Sequence, residues 1–161
     1  KELINMFLCV VRIFMNQTLC NQCYLNLELG CNDYKILNET ERNHQFKTPS
    51  GTWWCDKTGV SNKKSPQWHG DDWYRFLSPA GTRIAEEAPG VNYCGTSGTG
   101  WMQGSHPTSL GETVTRTVCF QWTSNTCQWS TEIKVRNCGQ YFIYHLVDTP
   151  ICRLGYCANS H

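Results

Sequence analysis

Cysteine offers this chain most of its chemistry. There are eleven: Cys9, Cys20, Cys23, Cys31, Cys55, Cys94, Cys119, Cys127, Cys138, Cys152 and Cys157. A thiol can pair, ligate a metal or attack as a thiolate. Structural zinc needs two close ligand pairs, and only Cys20–Cys23 and Cys152–Cys157 approach that spacing. The others are dispersed through a loop-rich sequence with 13 Gly and 7 Trp. Such dispersal points to disulfides and an oxidising, extracellular compartment rather than to zinc. An odd count leaves at least one thiol free, paired with another chain, or cut off from its partner.

Catalysis requires activated groups held together. The five histidines, His44, His69, His106, His145 and His161, are scattered. A Cys–His nucleophile needs a thiol of low pKa, which oxidised cysteines cannot supply. No Gly-x-Ser-x-Gly, His-Glu-x-x-His or P-loop occurs. His145 lies in a β-prone run and is expected to meet a backbone carbonyl or solvent. His106, before Pro107, fits a turn. His69-Gly70-Asp71-Asp72 could offer an acidic pair to a cation, but reads better as a solvated turn. The expectation is a non-enzyme with no catalytic residue, metal site or cofactor.

Binding has better candidates. Trp53, Trp54 and Trp68 lie in polar loop sequence, where rings either stack on a ligand such as a sugar or cover a thin core. They are the candidate ligand contacts. Trp73, Trp101, Trp122 and Trp129 are expected in the core. Asn16-Gln17-Thr18 and Asn38-Glu39-Thr40 fit the N-glycosylation pattern. The 14 basic and 13 acidic side chains nearly cancel, so no field exists to hold nucleic acid. The apolar run from Leu3 to Met15 falls short of the ~18–20 residues that span a bilayer. No membrane span is expected within this chain. The run resembles a leader core in length, and equally a buried strand or helix.

Strands must position these residues. Val114, Val118, Phe120 and Trp122 alternate with polar neighbours and share one face, with Cys119 on the other. Ile133 and Val135 alternate with charged residues as a half-exposed strand. Tyr141 to Val147 reads as a buried strand. Asp33 to Leu37 looks like a short strand. Trp73–Leu77 and Thr82–Ile84, joined by Ser78-Pro79-Ala80-Gly81, suggest a hairpin. Arg75 and Arg83 then lie on its two arms, where they hold the hairpin or meet a ligand. His44–Gly70 and Gly95–Gly111 read as long loops.

These residues together resemble the dispersed-eight-cysteine domain of uromodulin, the pancreatic secretory granule glycoprotein and their relatives, including the oncoprotein-induced transcript group. The shared pattern includes Cys31, Asp33-Tyr34, Leu37, Arg42, Cys55-Asp56, Trp73-Tyr74-Arg75-Phe76, Ala80-Gly81-Thr82-Arg83-Ile84 and Cys94. It continues through Trp101, His106-Pro107, Val118-Cys119, Trp122, Cys127, Trp129, Cys138, Tyr144, Cys152 and Tyr156-Cys157. The chain departs from it in three ways. Two further cysteines of vertebrate members are Ala88 and Thr126 here, and 59–70 looks like an insertion. In uromodulin a sequon before His-Pro carries a mannose-rich glycan that decoys bacterial pilus adhesins, and this chain has Gln103-Gly104-Ser105 there. The absence looks like that of an invertebrate relative.

The resemblance implies a mostly-β fold: a small, disulfide-stapled antiparallel β domain with long loops. The expected layout is an apolar N-terminal segment over 1–30 (a leader remnant or truncated cysteine module), the dispersed-eight-cysteine domain over 31–157, and a tail at 158–161. The eight cysteines from Cys31 to Cys157 could form four internal bridges, in a pairing that sequence does not decide. The implied function is a non-catalytic interaction module of a secreted or surface glycoprotein, with protein or glycan partners. Any glycan display would use Asn38 or Asn16. Lectin-like binding through the loop tryptophans is the alternative.

Overall fold

The computed structural model describes residues 29–60 and 62–160. The apolar run, Asn16, Cys9, Cys20 and Cys23 lie outside the described residues. Contacts divide the chain into two units, Lys1–Asp33 and Tyr34–His161. In the first, Cys31 is buried and disulfide-bonded. The rest of this description concerns the second.

Alternating polarity builds the centre of the fold. β5 (Thr113–Trp122) and β6 (Asn125–Asn137) pair antiparallel as a long hairpin. Its turn is two residues long, with Thr123 in the left-handed region at φ 52°. The buried faces carry Val118 and Phe120 from β5 and Ile133 and Val135 from β6, as the sequence pattern predicts. Cys119, on the opposite face of β5, bonds to Cys127 and staples the hairpin near its tip. β7 (Phe142–Leu146) pairs with β6 and is buried along most of its length.

The remaining strands extend this centre to both edges. On one side β2 (Asp72–Phe76) pairs antiparallel with β7, and the short β1 (Lys35–Leu37) pairs parallel with β2. On the other, β4 (Gly98–Met102) pairs antiparallel with β5, and β8 (Leu154–Tyr156) pairs parallel with β4. The seven-stranded order is β1-β2-β7-β6-β5-β4-β8. The sheet is therefore mixed, antiparallel in the middle with a parallel strand at each edge.

Two expectations are corrected. β3 (Arg83–Ile84) does not form a hairpin with β2. It pairs antiparallel with β9 (Ala158–Asn159) in a separate two-stranded sheet. The turn residues do reverse the chain, but β3 finds its partner near the C-terminus. Gly81, at φ 132°, makes that approach possible, because a Cβ there would clash with the Asn159 backbone. The loop read over Gly95–Gly111 also contains β4. Gly98 and Gly100 lie in that strand because a Cβ would strike Leu154 at one and Phe120 and Gly155 at the other.

Apolar and aromatic side chains pack between the elements. Trp68 stacks against Tyr74 at 5.0 Å and an interplanar angle of 7°, and lies 5.7 Å from Tyr156. Besides the hairpin pair, Cys55 bonds to Cys152 and Cys94 to Cys157, while Cys138 is disulfide-bonded too. All eight cysteines from Cys31 to Cys157 are thus oxidised.

Candidate functional site

The groups with most chemical potential converge in two networks, one buried around Arg42 and one running from exposed Glu86 to buried Tyr144. The first is centred on Arg42, fully buried at the end of a 3-10 turn over Thr40–Arg42. Its two terminal nitrogens donate to both oxygens of buried Asp56, at 2.8 and 2.7 Å. Nε donates to Glu39 at 2.6 Å, and Nη2 also reaches Ser65 Oγ at 2.8 Å. Asp56 accepts in addition from the Tyr156 backbone N–H at 2.8 Å. Trp54 lies 4.5 Å over the guanidinium. Burial alone would depress the Arg42 pKa, but Asp56 and Glu39 outweigh it and hold it above its ordinary range. Burial raises the Asp56 carboxyl against the pull of Arg42. Glu39, opposed by burial but bound by Arg42 and Ser65, is lowered. Every strong donor and acceptor here meets a protein partner, so the network clamps the 39–42 turn to the Cys55–Asp56 segment.

The second network joins Glu86, His106 and Tyr144. The His106 Nδ1 and backbone N–H both face Glu86 Oε1, and Nε2 lies 2.7 Å from the Tyr144 hydroxyl. That hydroxyl accepts from the Ile84 N–H at 3.2 Å. An acid, an imidazole and a hydroxyl in a row are the parts of a base-activated nucleophile. Here, however, the hydroxyl belongs to a fully buried tyrosine whose burial pushes its pKa far above the ordinary range. Burial also depresses His106, with Glu86 pulling the other way. Neutral His106 satisfies all partners at once: Nδ1–H donates to Glu86 and Nε2 accepts from Tyr144. The relay ties the His106 loop to β7 and β3.

The candidate tryptophans separate. Trp68 is no ligand contact: it is fully buried, and its Nε1–H donates to Asp148 at 2.8 Å. An apolar ring in polar sequence is buried here because Tyr74 and Tyr156 provide its two neighbours. Trp54 is half-buried beneath Arg42 and against Gly95 and Gly155, where a Cβ would strike its ring. Trp53 is half-buried as well, with Lys63 Nζ at 4.7 Å and the Arg153 guanidinium at 4.8 Å from its ring. Trp73, Trp101, Trp122 and Trp129 are half-buried rather than wholly in the core. Trp122 and Trp129 meet edge-on at 5.5 Å against it.

His145 meets Trp73 edge-on at 5.5 Å. In the His69–Asp72 turn, Asp72 pairs with Lys35 at 2.7 Å and Asp71 accepts from the Asp148 N–H at 2.8 Å. Among the described residues no cluster of three or more His, Cys, Asp or Glu could hold a metal.

Asn38 follows edge strand β1. Its Oδ1 accepts from Gln67 Nε2, and its backbone N–H donates to Gln67 Oε1 at 2.7 Å. The side-chain nitrogen, the atom that N-glycosylation uses, bonds to no described group and is not buried. The fixed carbonyl sets the amide's orientation.

The roles of Arg42, Asp56 and the Glu86–His106–Tyr144 row are not legible in sequence. Each network joins residues far apart in the chain, and the only available signal is that several of them stand in the dispersed-eight-cysteine pattern.

The family model for the uromodulin-like, dispersed-eight-cysteine domain matches residues 74–158. The chain is 38% identical to uromodulin of Mus musculus over 130 residues, covering 80% of this chain and 18% of that protein. It is 36% identical to the pancreatic secretory granule membrane major glycoprotein GP2 of Homo sapiens over 129 residues, covering 79% and 21%. The corresponding glycoprotein of Canis lupus familiaris is 34% identical over 131 residues, with 81% and 23% covered. The chain spans about a fifth of the length of the curated relatives it matches. Its oxidised cysteines and this kinship mark an extracellular domain, secreted or held at the cell surface. The chain belongs to the uromodulin-like, dispersed-eight-cysteine domain family of extracellular glycoproteins.

Proposed function

We propose that this domain is a non-catalytic interaction module that presents an N-glycan at Asn38 to proteins or microbes. The observation that carries the reading is the Asn38 side chain: its carbonyl is held by Gln67 while its nitrogen is left open, beside edge strand β1. A glycan there also shields the outer edge of β1, which has no further strand partner among the described residues, and Ile36, which is 45% exposed. The two networks support the non-catalytic part, since their acids, imidazole and guanidinium are all engaged in holding loops together. Display at Asn38 replaces the position before His106-Pro107, where this chain has no sequon. Intact-glycopeptide mass spectrometry of protein secreted from eukaryotic cells tests it. An occupied Asn38 is expected; a bare Asn38 ends its display role, and bare asparagines at both 16 and 38 end glycan display altogether.

Lectin-like binding is the second reading, supported by Trp53 because its half-buried ring meets only the cations of Lys63 and Arg153 among the described residues, whereas Trp54 packs under Arg42 and against Gly95 and Gly155. A glycan array comparing the wild type with a Trp53→Ala/Trp54→Ala variant decides it. Binding that the double variant leaves unchanged removes the idea.

A further inference from the structure

Arg75 and Arg83 line one cleft of about 240 Å³. Thr82, Gln140, Tyr141 and Phe142 share its walls. No acidic side chain lines it, and neither arginine forms an ion pair among the described residues.

The two guanidiniums are fixed but not neutralised. Arg75 lies 3.7 Å from the Tyr141 ring centre and 5.7 Å from that of Tyr34. Its Nη1 donates to the Tyr34 hydroxyl at 3.0 Å, while its buried Nε has no hydrogen-bond partner. Arg83 lies 4.8 Å over Phe142 and makes no side-chain hydrogen bond among the described residues. The nearby carboxylate, Glu86, feels the Arg83 charge but makes no ion pair with it, does not line the cleft and is hydrogen-bonded to His106. Aromatic faces thus hold both cations in place without supplying a counter-charge. Pre-positioned guanidinium forks suit a planar carboxylate, and little side-chain entropy is lost in ordering them.

The cleft is small by the standard of drug-sized sites. It is still larger than a lone carboxylate requires, being several times a water molecule's ~30 Å³ share of liquid. Gln140 offers both a donor and an acceptor for hydroxyls. One face of Tyr141 and one of Phe142 already carry a guanidinium, so the cleft favours an anion over flat stacking of a neutral sugar. The geometry points to a site for a carboxylated sugar residue, its carboxylate between Arg75 and Arg83 and its hydroxyls towards Gln140. This site is separate from Asn38 and from the Trp53 loop.

Side-chain NMR of ¹⁵N-arginine-labelled, oxidised full chain tests it, with the methyl glycoside of N-acetylneuraminic acid as probe. The expected result is a saturable shift at Arg83 and Arg75. The methyl ester of the same sugar should produce none. Arg83→Gln should weaken binding by roughly tenfold or more, as expected for loss of a charge-assisted hydrogen bond, with the backbone spectrum otherwise kept. Gln140→Ala, away from both charges, should weaken it less and serves if an arginine variant misfolds. Equal shifts with the ester, or binding that Arg83→Gln and Gln140→Ala leave unchanged, would overturn the site. A saturable response to a glutamate-rich peptide but not to the sugar would also overturn it, in favour of a protein partner.

Discussion

Arg42 and the Arg75–Arg83 pair show two ways of holding the same side chain. Around Arg42, two carboxylates, a hydroxyl and a backbone carbonyl receive the guanidinium, and the group has no exposed surface. Around Arg75 and Arg83, aromatic rings fix the planes and no acid completes the pair. The first arrangement answers a folding problem. A buried charge without partners is costly, so the 39–42 turn and the Cys55–Asp56 segment must come together. The second leaves positive charge at a concave surface, where an incoming anion can complete what the protein does not. Satisfaction of hydrogen bonds, rather than residue type, separates scaffold from site.

The largest expected loss lies beside the Arg42 region. Cys55–Cys152 spans a sequence separation of 97, and Cys119–Cys127 one of 8. Loop-closure entropy gives on the order of 4.7 kcal/mol for the long bridge and about 2.6 kcal/mol for the short one. Other bridges shorten the effective loops, so the ordering is the prediction. Urea unfolding of Cys55→Ala/Cys152→Ala and Cys119→Ala/Cys127→Ala proteins, with remaining bridges oxidised, should show the first to be less stable.

Arg42→Met comes next and addresses the comparison directly. It leaves Asp56 buried without its counter-ion and should cost about 3–5 kcal/mol. Arg83→Gln should change stability by no more than about 0.5 kcal/mol, as for a surface substitution. Equal losses in urea would erase the distinction between the two regions.

A smaller effect follows pH. His106 is depressed in the folded protein relative to its ordinary 6.5. The unfolded chain therefore binds the proton more readily, and stability must fall as pH drops below 6.5 through the folded value. Protonation also puts a donor on Nε2 opposite the Tyr144 hydroxyl. Burial is the main cause of the depression, Glu86 opposes it, and Arg83 and Arg116 add to it. Thermal unfolding across that window should show this slope in the wild type and lose it in His106→Gln. Glu39, lowered below 4.5, adds a second loss at more acid pH.

Much of the central sheet is legible in the sequence. β5, β6 and β7 announce themselves because long strands repeat their polarity pattern enough times to be read. β8 and β9 are too short to repeat anything, and β4 is hidden by glycines that pack against Phe120 and Leu154. The expected β2–β3 hairpin fails because Pro79 and Gly81 specify a turn, not the partner of the strand that follows it. Asn38 is visible as a triplet, but its held carbonyl depends on Gln67, far along the chain. Trp68 looks like a loop residue for the same reason, its burial being set by Tyr74 and Tyr156.

Sodium sulfate titration of the arginine side-chain NMR spectrum compares the two regions in one sample. The account predicts that Arg83 and Arg75 resonances move saturably with sulfate while those of Arg42 stay fixed. Motion of Arg42 equal to theirs, or Arg83 and Arg75 that do not respond, would contradict it.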